Sequence, residues 1–107
     1  MPARWRGVMN ATQYSALCVQ KTEGRFSDPE RKQAHFSEDC LYLNVFAPTP
    51  FANDTSYPII AYIHGGRFQS GSASDLSQQA ILDNFVARKI VFVSMNYRLG
   101  PIGMRFF

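Results

Sequence analysis

Two stretches decide the fold: Pro58-Ile59-Ile60-Ala61-Tyr62-Ile63-His64-Gly65-Gly66-Arg67 and Ile90-Val91-Phe92-Val93-Ser94-Met95-Asn96-Tyr97-Arg98-Leu99-Gly100. Each holds a short, unbroken apolar run, 59–63 and 90–95, the pattern of a strand covered on both faces. Pro58 opens the first and Gly65-Gly66 stops it. Between them Asp75 stands three residues before Gln78, a spacing that resembles a capping box. It predicts a helix from about Leu76 to Arg88, with Ile81, Leu82, Phe85 and Val86 on its apolar side. Strand, helix, strand is a βαβ unit with parallel strands and a right-handed crossover, which places the chain in the α/β class. Ligands in such sheets collect outside the carboxyl ends of the strands. Those ends are His64 to Arg67 and Asn96 to Gly100.

Upstream, Leu41, Leu43, Val45 and Ala47 alternate with Tyr42, Asn44 and Phe46, the period of a further strand, and Pro48-Thr49-Pro50 ends it. Met1 to Asp39 shows little periodicity and reads as loop, with a short helical turn near Ala11 to Leu17. No internal repeat or low-complexity tract occurs.

The 107 residues allow one domain at most. A composition of 46% hydrophobic and 18% charged residues excludes a disordered chain. The net charge of +3 comes from basic residues scattered along the sequence, so no nucleic-acid footprint is read. No stretch approaches the roughly 20 apolar residues of a membrane helix. Met1 to Arg6 lacks the apolar region of a signal peptide. Two features nevertheless point to the secretory pathway. Asn10-Ala11-Thr12 and Asn53-Asp54-Thr55 are N-glycan acceptor sequences. Cys18 and Cys40, the only cysteines, are either a disulfide or two free thiols.

The glycine loop after 59–63 has three readings. A phosphate cradle fails, because Gly66 and Gly71 have the spacing but Ser72 and Ala73 replace the lysine and hydroxyl residue that carry the chemistry. A dinucleotide fingerprint fails, because no G-x-G-x-x-G occurs. An oxyanion hole fits: glycine lets main-chain N–H groups approach an oxyanion closely after a buried strand. The bland reading is a plain strand-ending turn.

The combination of segments narrows this. Trp5-Arg6-Gly7-Val8-Met9-Asn10-Ala11-Thr12, Ser37-Glu38-Asp39-Cys40-Leu41-Tyr42-Leu43-Asn44-Val45, His64-Gly65-Gly66, Gly71-Ser72-Ala73-Ser74 and Asn96-Tyr97-Arg98-Leu99-Gly100 follow in that order. Together they resemble the type-B carboxylesterases, the cholinesterase-like family, from Trp5 to about Gly103. The resemblance implies a partial α/β-hydrolase fold, an incomplete central sheet with one βαβ unit. It implies a carboxylic ester substrate, hydrolysis through an acyl-serine, and neither metal nor organic cofactor.

It also implies specific roles. Gly66 and Arg67 match two main-chain donors of the oxyanion hole, with Gly65 structural. Arg67 departs from the family's usual third glycine, which is tolerated if its φ stays negative. His64 is structural rather than a base, and His35 lies in a polar loop. Cys18 and Cys40 match the family's first disulfide. The 19–39 loop lacks the tryptophan of cholinesterases and has only Phe26 and Phe36, which argues against choline esters. Glu38 and Arg98 match ion-pair residues whose partners lie outside this segment. No G-x-S-x-G occurs, so the nucleophile, acid and histidine of the triad are absent from these 107 residues. The expectation is therefore that residues 1–107 are an internal fragment of a secreted esterase, without a complete domain, inactive alone, with both buried-type strands left as open edges. A non-catalytic adhesion protein of the neuroligin kind is the alternative.

Overall fold

The structure is a computed structural model that describes residues 6–21, 35–49 and 56–104. The elements run β1 (Leu17–Cys18), β2 (Phe36–Ser37), β3 (Leu43–Phe46), β4 (Ile59–Ile63), α1 (Gln78–Asn84), a 3-10 turn (Val86–Arg88), β5 (Val91–Met95) and α2 (Gly100–Gly103). The main sheet has the order β3-β5-β4. β4 and β5 are parallel, in register from Ile59 opposite Val91 to Ile63 opposite Met95. β3 runs antiparallel to β5, with Phe46 opposite Phe92 and Leu43 opposite Met95. The expected βαβ unit is thus formed, and the fold class is α/β.

Period-two alternation gives the sheet two faces. Phe46, Tyr62 and Phe92 point to the face that the α1 region covers. Phe92 is its hub, with the Phe85, Tyr62 and Phe46 ring centroids at 4.8, 6.0 and 6.5 Å. Ile81 of α1 is fully buried. On the other face lie Leu43, Val45, Ile59, Ala61, Ile63, Val93 and Met95. Leu43, Val45, Ile59 and Ile63 there are exposed. The expectation that 59–63 is covered on both faces is not met. No described element packs over the second face, and on the first Ile60 is still exposed, so that only Tyr62 of β4 is half-buried. β5 is not an open edge as expected. It takes the centre of the sheet, and β4 is the edge.

Three local readings change. The helix begins at Gln78, not Leu76, because Ser77 rather than Asp75 caps it: the Ser77 hydroxyl accepts from the Ala80 N–H at 3.2 Å. Asp75 instead closes a tight turn, accepting from the Ser72 N–H at 3.1 Å and the Ser72 hydroxyl at 3.3 Å. The α-helix ends at Asn84 and tightens into the 3-10 turn, which Lys89 terminates in a left-handed conformation at φ 62°. The helical turn near Ala11 to Leu17 is absent. That stretch is irregular, with a bend at Gln13, and ends in β1, which pairs in parallel with β2.

Candidate active site

Cys18 and Cys40 are joined as a disulfide. They form one buried cluster with Leu99, and Tyr97 packs against it. The first cysteine pair reading is thus the right one, and the bridge stands next to the loop that leaves β5.

The loop that leaves β4 is built around His64. This residue is 3% exposed. Its ring stacks on Tyr97 with centroids 4.3 Å apart and planes 12° from parallel. The Tyr97 hydroxyl donates to the His64 carbonyl at 2.7 Å. Burial, then the charge of Asp75 and the nearby Tyr62, push the Tyr97 phenol above its ordinary range. Nδ1 of His64 lies 2.9 Å from the Gly65 carbonyl oxygen, a bond that exists when Nδ1 carries the proton. These contacts occupy the imidazole as a structural wedge.

Beyond His64 the chain doubles back on itself. The N–H groups of Gln69 and Ser70 both donate to the Gly66 carbonyl, at 3.0 and 3.2 Å. Gly66 has φ 127°, and Arg67 and Phe68 follow at 56° and 59°. Positive φ at both central residues is the signature of a type I′ turn, which favours Gly, Asn or Asp. The negative φ expected of Arg67 is therefore not adopted. The left-handed winding costs about 1–2 kcal/mol for each side chain held so.

The steric demand expected of Gly65 falls on other glycines. A Cβ on Gly65 would meet nothing within 4 Å. One on Gly66 would overlap the Ser70 carbonyl, and one on Gly71 would stand 2.5 Å from both the Gly65 oxygen and His64 Nδ1. The N–H groups of Gly66 and Arg67 donate to no described residue. They are adjacent donors at the carboxyl end of β4, where the sequence places a ligand.

Two side-chain amides hold the far end of this loop. Gln20 accepts from the Gly71 N–H at 2.8 Å and donates to the Gly71 carbonyl at 3.0 Å. Asn96 accepts from the Ala73 N–H at 2.8 Å and donates to the Ala16 carbonyl at 3.4 Å. The loops after β4 and β5 are tied directly, Gly100 N–H to the Phe68 carbonyl at 2.7 Å. Beside them lies a groove of about 550 Å³, lined by residues that include Leu41, Phe68, Tyr97, Arg98, Ile102 and Met104. The sequence alone gives neither Gln20 nor Asn96 a role. Asn96 sits in the recognised Asn96-Tyr97-Arg98 string, whereas Gln20 carried no local signal.

The remaining candidates lie apart. Glu38 and Arg98 are both exposed, and neither forms an ion pair with a described residue. Asn10 is exposed, and its carboxamide oxygen accepts from the Thr12 hydroxyl at 2.8 Å and the Thr12 N–H at 3.2 Å. Asn53 and Phe26 lie outside the described residues. Phe36 is half-buried in β2, and His35 is exposed. No group of three or more His, Cys, Asp or Glu among the described residues is placed to hold a metal.

Comparison with known proteins gives one answer. Residues 1–106 match the profile of the Carboxylesterase family. Carboxylesterase 4A of Bos taurus is 38% identical over 108 residues, covering 95% of this chain and 19% of that protein. The medium-chain fatty acyl-CoA hydrolase precursor of Anas platyrhynchos is 40% identical over 111 residues, covering 95% of this chain and 19% of its own length. The crystal structure of Aspergillus niger EstA superposes with a TM-score of 0.65 at 31% identity, over 88% of this chain and 17% of that one. The chain thus spans about a fifth of the length of the relatives it matches, and it belongs to the carboxylesterase family.

Proposed function

We propose that this chain is the oxyanion-bearing segment of a serine carboxylesterase. The observation that carries the reading is the pair of adjacent, unclaimed N–H groups of Gly66 and Arg67 in a locked turn at the carboxyl end of β4. When a serine attacks an ester carbonyl, the carbonyl oxygen gains a full negative charge. Donors already fixed in place stabilise that charge without reorganising, and losing one such donor slows turnover by about 10²–10³. The alkoxide then leaves as the alcohol, and water releases the acid from the acyl-serine. In this reading Gly66 and Arg67 supply two donors. The serine, acid and histidine come from residues outside these 107, and residues 1–107 are part of a domain rather than a whole one. Phe68, next in the chain after the donors, joins Leu41, Ile102 and Met104 in the apolar part of the neighbouring groove, whose lining also holds Arg98.

The parent protein is read as secreted and N-glycosylated at Asn10 and Asn53. The support is the Cys18–Cys40 bridge, which belongs to oxidising compartments, and the exposed position of Asn10. Sequencing the transcript that encodes this segment, then assaying the encoded protein on p-nitrophenyl butyrate, tests the proposal. A frame containing G-x-S-x-G and serine-dependent turnover is expected. A frame in which that serine is replaced would overturn catalysis and favour the adhesion reading.

A further inference from the structure

We propose that Gln20 is a positioning residue that sets the aim of the oxyanion donors. This rests on the reading of Gly66 and Arg67 as those donors and adds to it the part that holds them.

The Gln20 amide reaches across 51 residues of sequence to a single residue, Gly71. Its oxygen takes the Gly71 N–H at 2.8 Å, and its nitrogen gives one proton to the Gly71 carbonyl at 3.0 Å. The same nitrogen lies 3.1 Å from the Cys18 carbonyl and gives its second proton there. One planar amide thus copies both halves of a strand-to-strand rung. It is anchored two residues from the disulfide. Among side chains only a carboxamide offers a donor and an acceptor in this form, and asparagine is one methylene shorter.

What Gly71 touches explains the consequence. Its α-carbon packs against the Gly65 carbonyl oxygen and His64 Nδ1, close enough that a Cβ would stand 2.5 Å from each. The Gly65 carbonyl and the Gly66 N–H belong to the same peptide unit. In a planar trans peptide they point in opposite directions, so whatever fixes the carbonyl aims the N–H. On the other side Ser70, the residue before Gly71, lays its carbonyl against the Gly66 α-carbon, where a Cβ would overlap it. Gln20 holds Gly71, and Gly71 and Ser70 hold the peptide that carries the first oxyanion donor. A small misplacement of reacting groups costs orders of magnitude in rate, so this aim matters more than its few hydrogen bonds suggest.

The test compares Gln20→Leu and Gln20→Glu with the wild type, in the protein that the transcript encodes. For hydrolysis of p-nitrophenyl butyrate, Gln20→Leu is expected to lower kcat about tenfold or more while KM stays within about twofold. Hydrogen exchange supplies a readout independent of turnover. Protection of the Gly71 amide, measured relative to Val93 in the central strand, falls about tenfold in Gln20→Leu, the scale of one lost hydrogen bond. In Gln20→Glu the carboxylate can still accept from the Gly71 N–H, but its second oxygen faces the Gly71 and Cys18 carbonyl oxygens where the amide nitrogen donated. That repulsion displaces the side chain, so protection, taken relative to the intrinsic exchange rate at each pH, falls at neutral pH and returns as the carboxyl is protonated and can donate again. A residue that merely filled space would show no such return. Wild-type kcat in Gln20→Leu with unchanged Gly71 protection would overturn the proposal. If the wild type itself has no esterase activity, the reading of the site fails and the exchange arm alone decides whether Gln20 clamps the loop. If Gln20→Leu does not fold, the pH dependence of Gln20→Glu decides.

Discussion

The Tyr97 hydroxyl donates to the His64 carbonyl at 2.7 Å while its ring lies on the His64 imidazole at 4.3 Å. One side chain from the end of β5 thus grips the last residue before the glycine loop both by its main chain and by its ring. Tyr97→Phe keeps the stack and leaves the carbonyl without its donor, a loss of about 1–3 kcal/mol. The phenol also gives the stability a pH dependence of known sign. Its pKa is raised above 10.0 in the folded protein, chiefly by burial. The folded state therefore holds this proton more tightly than the unfolded state. That contribution is whole below the unfolded value and is lost as pH rises through the folded one. Urea midpoints taken from pH 8 to 11 should fall more steeply in the wild type than in Tyr97→Phe. Parallel curves would show that Tyr97 contributes nothing to the alkaline loss.

The glycine loop predicts substitutions of opposite sign at neighbouring positions. Gly66→Ala places a Cβ into the Ser70 carbonyl at φ 127° and is expected to destabilise by about 2 kcal/mol or more. Arg67→Gly removes a side chain from the left-handed region at φ 56°. The relief of about 1–2 kcal/mol exceeds the entropy that glycine adds to the unfolded chain, about 0.4–1 kcal/mol. The variant should therefore be slightly more stable, and denaturant titration of both variants reads the contrast directly. A destabilised Arg67→Gly would mean that the guanidinium makes a contact worth more than the strain.

These contrasts also show where the sequence is legible and where it is not. The strands at 59–63 and 91–95 announce themselves, because apolar runs bounded by Pro58, Gly65 and Gly66 are local patterns. The helix start is less clear, since Asp75 and Ser77 are both good caps and only the Ser72–Asp75 turn removes Asp75 from contention. The handedness at Arg67 is hidden, because nothing in a non-glycine residue marks a positive φ. The clasps are hidden for a different reason. Gln20 to Gly71 and Asn96 to Ala73 join residues 51 and 23 apart, and an amide's partner is set by the fold rather than by its neighbours.

The Cys18–Cys40 bridge closes a loop of sequence separation 22. In the chain-entropy account such a cross-link stabilises by roughly 3 kcal/mol. Because the bridge is buried with Leu99 beside Tyr97, its loss also loosens the wall behind His64. Cys18→Ser with Cys40→Ser should lower the urea midpoint and raise exchange at Gly71, the residue that Gln20 holds. A lowered midpoint with Gly71 protection intact would confine the bridge to a purely entropic role.

The sheet makes a prediction about solubility. Ile59 and Ile63 of the edge strand β4 are 68% and 64% exposed, on the same open face as Leu43 and Val45. An uncharged apolar edge of this kind invites pairing with other chains. Side chains this exposed contribute little to folding, so replacing them with a polar residue that keeps the strand should separate association from stability. Ile59→Thr with Ile63→Thr retains β-branching and removes much of the apolar surface. Measured on residues 1–107 alone, which on the proposed reading lack the rest of the domain, the expected result is weaker self-association by sedimentation velocity across a concentration series, with a urea midpoint close to that of the unsubstituted segment. A loss of about 2 kcal/mol or more would instead mean that this face is packed in the folded protein, since burying an isoleucine is worth about 1.5–3 kcal/mol.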